Sequence, residues 1–203
     1  MRVRAVCSPC NNGWMNRIES DARPFLTALI EGSPIALDTD QLSSVARWIV
    51  MKSIVIEHAS LDTAVTPRID RAAFRANGAI PNYFKIYLGS HSGKRWAALY
   101  RDSRCITYNG THYNPPLAGV PNNLQTITLY LGKVFAQVHT ARVHGFEIEK
   151  GLTIPKLYGQ RIWPLMHHEM IWPSEPIFTV AQVNEIANGL NAMLNANATG
   201  WLR

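Results

Sequence analysis

The order of hydrophobic periodicities along the 203 residues predicts an α+β protein. An N-terminal strand, cysteine knuckle and helix come first. A buried central helix packed on a mainly antiparallel sheet follows, and a C-terminal helix ends the chain. Three observations carry this expectation. Apolar residues recur at helical spacing from Trp14 to Leu29 and again from Leu42 to Ile56. From Pro81 the period shortens to two, with turn residues between the runs. Helical spacing returns after Thr179 in Val180, Val183, Ile186, Ala187, Leu190 and Leu194.

Taken in order, Met1–Val6 alternates as a short strand entering Cys7–Cys10, and Asn11 or Asn12 is placed to cap the helix that follows. Pro24 lies inside that helix, so a kink is expected near Arg23. Gly32–Ser33–Pro34 is a break. Asp38–Thr39–Asp40 starts the central helix, Asp40 to His58, which is apolar on most of its circumference and therefore buried. A short helix over Arg68–Asn77 is closed by Gly78. Strands are expected at Tyr83–Leu88, Trp96–Tyr100, Cys105–Tyr108, Phe146–Glu149 and Ile162–Trp163. Thr126–Leu131 and Val134–His139 form a hairpin through Gly132–Lys133, with a type II′ turn expected. Asn114–Asn123 is a proline-bearing loop, and Thr179 is the N-cap of the last helix. No linker divides the chain. It is read as one α+β domain over 1–203, with a knuckle-and-helix segment at 1–31, a helical segment at 38–78, a mainly β region at 81–178 and the C-terminal helix at 179–203.

Charge and cysteine usage bound the function. Lys and Arg number 20 against 14 Asp and Glu, and 14 of the 20 are Arg. The arginine fork matches phosphate oxygens, so the bias leans toward a polyanion such as DNA. The longest apolar stretch, Trp48–Ile56, carries Lys52 and Ser53, which excludes a membrane span and leaves a cytoplasmic chain as the expectation. Glycine-rich phosphate loops, serine nucleophile elbows and dinucleotide fingerprints are lacking, so those enzyme classes are set aside.

Cys7 and Cys10 hold the densest chemistry. Two thiols two residues apart suit one Zn²⁺, which takes four ligands in a structural site. The same spacing between a strand and a helix also suits a redox pair, and two buried thiols acting as small hydrophobes are the third reading. Arg2, Arg4 and Arg17 flank the cysteines, while Lys94, Arg95, Arg101 and Arg104 bracket Trp96 and Tyr100. Basic residues interleaved with aromatics can hold phosphates and stack bases. The bland reading of that group is a solvated sheet face with its aromatics in the core. Among the histidines, those of Glu57–His58, His112 and His167–His168–Glu169 are candidate metal or catalytic auxiliaries. None has the i, i+4 spacing of ligands on one helix, and the last group is the best of the three.

The run Val6-Cys-Ser-Pro-Cys-Asn-Asn-Gly-Trp-Met15, with Arg17-Ile18-Glu19 and Arg23-Pro24 behind it, resembles the second metal-binding half of HNH-type (His-Me finger) endonuclease-like proteins. It also resembles phage and bacterial HNH-related chains in which such a segment recurs, with downstream Trp-Pro segments like Ile162–Pro164 and Trp172–Pro173. The resemblance implies zinc at Cys7 and Cys10, Asn11 as a support of an active-site metal, and a metal-dependent phosphodiesterase if the chain is active. The family's first half, with a second cysteine pair and the activating histidine, has no counterpart in these residues, and an upstream segment bearing it is one expectation. The implied function is a phage or bacterial protein that binds nucleic acid or a nucleotide-like anion without an intact catalytic centre. The alternative is a non-catalytic protein-binding module, such as a phage-encoded inhibitor of a host defence system. A homodimer sharing one Zn²⁺ through two cysteine pairs is a further arrangement that the spacing allows.

Overall fold

The computed structural model describes residues 6–93, 97–106, 122–143, 146, 148, 159–166 and 168–196. A single turn, α1 (Ser8–Cys10), leads through a π-turn (Asn11–Met15) into α2 (Asn16–Glu31). Then come β1 (Ile35–Asp38), α3 (Thr39–Glu57), a 3₁₀ turn (Leu61–Thr63) and α4 (Arg68–Asn77). Strands β2 (Phe84–Ser90), β3 (Ala97–Arg104), β4 (Leu124–Leu131), β5 (Val134–Ala141), β6 (Gln160–Trp163) and β7 (Glu169–Trp172) follow, and α5 (Val180–Ala196) comes last. The α+β expectation, with a mainly antiparallel sheet and a C-terminal helix, holds.

Helix α3 forms where the sequence places it, because both of its ends are chemically marked. Asp38 Oδ1 accepts from the N–H groups of Asp40 (3.0 Å) and Gln41 (2.9 Å), and Gln41 Oε1 accepts from the Asp38 N–H (3.0 Å). This reciprocal box satisfies donors that the first turn leaves orphaned. Leu42, Val45, Ala46, Ile49, Val50 and Met51 then enter the core, and each large aliphatic chain buried there contributes about 1.5–3 kcal/mol. The same device starts α5, where Thr179 and Gln182 cap each other.

Five strands run in the order β3-β4-β5-β2-β6, all antiparallel, while β1 and β7 pair separately as an antiparallel ribbon. Helices α2 and α3 lie antiparallel, tied by the Lys52–Glu19 ion pair, and share one core with β2, β4, β5 and β6. Helix α5 covers part of the opposite face, where Phe178, Val183 and Ile186 pack on Tyr130 and Phe135. Seven of the eight residues in each of β4 and β5 are buried, so both faces of the sheet centre are covered.

Several local expectations change. Met1–Ala5 lie outside the described residues, and Val6 is not in a strand. Asn11 and Asn12 do not cap a helix: the first turn starts earlier, with Cys7 at the N-cap and Pro9 in the opening positions, which proline's fixed φ suits. Helix α2 passes unbroken through Pro24. Pro24 and Ser20 are both exposed, so the carbonyl deprived of its N–H partner faces water. The interruption falls instead at Gly13. The strand expected from Trp96 is described from Ala97 and runs on to Arg104. Cys105 and Ile106 leave it because the Asn123 side chain takes both ladder positions of Ile106, at 2.9 and 2.8 Å. Phe146 and Ile148 are not in a strand, and the rest of Phe146–Glu149 lies outside the described residues. Strands β1 and β7, absent from the sequence reading, are four residues each.

The β4–β5 hairpin turns where expected, with Gly132 at φ 57°. Its tip docks on the end of α2: the Lys133 N–H donates to Ile30 O at 2.8 Å. A Cβ on Gly132 would lie 2.3 Å from that same carbonyl oxygen, so glycine is required by contact as well as by φ.

Candidate functional site

The cysteine turn is built by the first residues of the helical segment. Cys7 is extended (φ −75°, ψ 153°) and its carbonyl accepts from the Asn11 N–H at 3.0 Å. This sets Cys10 one turn along, half-buried against the core, while Cys7 stays exposed. The Asn12 amide donates to Ser8 Oγ at 3.2 Å and ties the turn together. Behind it Met15 is buried, and Trp14 meets Phe74 of α4 edge-on, with ring centroids 6.0 Å apart. That contact brings α4 beside the cysteines. Hydrogen bonds from the Cys10 thiol and backbone N–H hold the Cys7 thiol below its ordinary pKa, and the positive charge of Arg75 adds to them.

Arg71, one turn before Arg75 on α4, continues the positive surface inward. Its guanidinium donates to Glu57 Oε2 (2.8 Å) and Thr66 O (2.9 Å) and lies 3.3 Å from His58 Nε2. Glu57 is fully buried. It also accepts from the Thr66 N–H (3.1 Å) and hydroxyl (2.9 Å) and from Gln125 Nε2 (3.0 Å). A carboxylate with this many donors is satisfied, so Glu57 is a structural hub rather than a general base. His58 is exposed, and burial of part of its ring together with Arg71 lowers its pKa.

The other candidates from the sequence scatter. Arg17 is exposed on the first turn of α2, next to the cysteine turn. Arg2, Arg4, Lys94, Arg95, His112 and His167 lie outside the described residues. His168 and Glu169 are exposed at the start of β7, where Glu169 pairs in register with Asp38 at the N-cap of α3. Because α2 and α3 are antiparallel, that end lies a helix length from the cysteines, about 24 Å for sixteen residues. The structure therefore separates His168 and Glu169 from Cys7, Cys10 and Asn11. Arg101 is not on a solvated face: it donates to Gln125 Oε1, Thr63 Oγ1 and Thr63 O, bracing the sheet against the 3₁₀ turn.

Two thiolates are half of what a structural Zn²⁺ takes. Among the described residues no group of three or more His, Cys, Asp or Glu comes together, so these residues do not by themselves complete a zinc site.

A second concentration of polar chemistry escaped the sequence reading. Across the sheet, Asp102, Thr126, His139 and Lys85 stand in one register row, and Tyr100, Thr128, Gln137, Tyr87 and Arg161 in the next. Thr126, Thr128, Gln137 and His139 are buried. The Thr128 hydroxyl donates to Gln137 Oε1, while Gln137 Nε2 has no partner among the described residues. Polar residues at alternate positions in three strands were the available signal. Burial of that face was not visible in it.

Comparison of the chain with protein-family models, curated proteins and solved structures gives no match.

Proposed function

We propose that the chain is an HNH-endonuclease-related scaffold that binds nucleic acid or another polyanion at the surface around the cysteine turn, without a hydrolytic step of its own. The observation that supports this best is the placement of Cys7, exposed on its turn, in the field of Arg75, with Arg17 exposed on the following helix. Phosphate oxygens suit such a surface, since each arginine that neutralises one releases a counterion. Zinc enters this reading only with ligands from outside the described residues or from a second copy, whose two turns together would give four thiolates.

Fluorescence anisotropy of a labelled DNA duplex over a salt series tests the proposal. Binding should weaken steeply with salt, and Arg75→Ala and Arg17→Ala should each reduce the slope by about 1. Absence of binding at low salt, or a flat salt dependence, would overturn it. Cleavage of the duplex above a metal-only blank would overturn the non-hydrolytic clause.

A protein-binding role is favoured by a different observation. Met166, Ile171 and Ile177, before, on and after β7, are 60, 71 and 51% exposed, and exposed apolar side chains are what a protein partner would cover. Salt-insensitive capture of a protein without DNA binding would select this reading.

A further inference from the structure

Four segments meet at the far end of α2 from the cysteines and enclose a cleft of about 320 Å³. Its walls come from Glu31 and Gly32, from Ser90–Ser92 at the end of β2, from Lys133 on the hairpin tip, and from Trp172, Pro173 and Ile177 after β7. The volume is at the small end of ligand sites, which run from about 300 to 1,000 Å³. Hydrogen bonds tie the junction together: the His91 N–H donates to Lys133 O (3.0 Å), the Ser92 N–H to Phe178 O (2.9 Å), and the Ser174 N–H to Ser90 Oγ (2.9 Å).

One residue of each charge lines the cleft, Glu31 and Lys133. Glu31 is the last residue of α2, where the helix dipole is negative and a carboxylate is unfavourable. The last turn of α2 holds no basic residue, and among the described residues no ion pair neutralises Glu31. Lys133 lines the same space, and among the described residues its ammonium donates a long bond to Gly93 O (3.5 Å). His91 is kept neutral by burial and by the charge of Lys133, and its Nδ1 accepts the Gly93 N–H at 3.1 Å. It therefore adds no second cation. The apolar part of the lining is Pro173 and Ile177, with Trp172 buried behind them at 1% exposure.

From this we infer that the cleft binds a small zwitterion with an apolar body, the chemistry of a free apolar amino acid. Lys133 takes the carboxylate. Glu31 takes the ammonium, and Pro173 and Ile177 take the side chain. Glu31 is exposed at this position, and a cationic ligand group beside it makes a favourable contact with both the carboxylate and the negative end of the helix dipole. The site lies at the opposite end of α2 from the cysteine turn and does not depend on polyanion binding.

Amide chemical shifts of ¹⁵N-labelled protein titrated with L-leucine, isocaproate and isoamylamine test the inference. The three probes share a branched body and differ only in carrying both charges, the carboxylate alone or the ammonium alone. Leucine should shift Gly32, His91, Ser92 and Lys133, and each single-charge probe should bind at least about tenfold more weakly, the loss of one charged contact. Lys133→Met should reduce leucine to the affinity of isoamylamine, and Glu31→Gln to that of isocaproate. The same spectra show whether each variant is folded. Equal binding of leucine and either single-charge probe, shifts centred elsewhere, or no shifts at millimolar leucine would overturn it.

Discussion

Gln125 Nε2 donates to Glu57 Oε1 at 3.0 Å across 68 residues of chain, joining the end of the central helix to the second strand of the sheet. With Arg71 and Thr66 on the same carboxylate, this contact determines how α3, α4 and the sheet sit together. Glu57→Ala should cost about 3–5 kcal/mol, because it leaves Arg71 and several buried donors without their acceptor. Gln125→Leu, which removes one donor and leaves the carboxylate otherwise satisfied, should cost about 1–3 kcal/mol. Urea denaturation of both variants checks the order. An equal loss would show that Glu57 is not the hub.

Gly132 makes a sharper test of the hairpin dock. Its φ of 57° and the 2.3 Å approach of a built Cβ to Ile30 O both oppose any side chain. Gly132→Ala should destabilise by at least about 1–3 kcal/mol, the cost of left-handed strain alone, with the midpoint of urea unfolding lowered and its slope unchanged. A midpoint like that of the parent protein would mean that the tip does not press on α2.

How far the sequence could be read depends on the range of the interactions that decide each feature. Helix α3 was legible because its cap, its period and its length are local, and Gly132–Lys133 was legible because a two-residue turn needs glycine. The Glu57 hub was not, since its partners lie 9, 14 and 68 residues away. Strands β1 and β7 were missed because four residues are too few to show a period, and each is stabilised by the other across the fold. At the cysteine turn the cap that forms differs from the one the residue types suggest. Asn11 and Asn12 have good capping propensity, yet Pro9 opens the helix earlier and makes Cys7 the cap. The cleft at the end of α2 was invisible, because Glu31, His91, Lys133 and Trp172 converge only through tertiary packing.

His58 and His91 both have pKa values lowered from the ordinary 6.5, chiefly by burial and then by Arg71 and Lys133 respectively. In the unfolded chain each takes up its proton near pH 6.5, whereas the folded chain resists until lower pH. The unfolded state then binds more protons, so stability falls as pH drops below about 6.5 and is retained above it. Thermal melts between pH 7.5 and 5 should show this fall, and His91→Gln should flatten it in part. A melting temperature independent of pH over that range would mean that the folded chain does not resist protonation of these histidines.

Cys7 should be the most reactive thiol of the amino-terminal pair. It is exposed, it accepts hydrogen bonds from Cys10, and Arg75 favours its thiolate, whereas Cys10 is half-buried and serves as the donor. Thiolate fraction and access together govern alkylation. Timed iodoacetamide labelling followed by peptide mass spectrometry should find Cys7 modified before Cys10. Arg75→Ala should slow labelling of Cys7 at neutral pH by a modest factor, and raising the pH should restore the rate. Cys10→Ala should slow it further, because the Cys10 side-chain hydrogen bond contributes more than Arg75 to lowering the Cys7 pKa. If Cys10 is labelled first, or if Arg75→Ala leaves the Cys7 rate unchanged at every pH, then Arg75 does not face the cysteine turn. The positive surface on which polyanion binding rests would lose its nearest member.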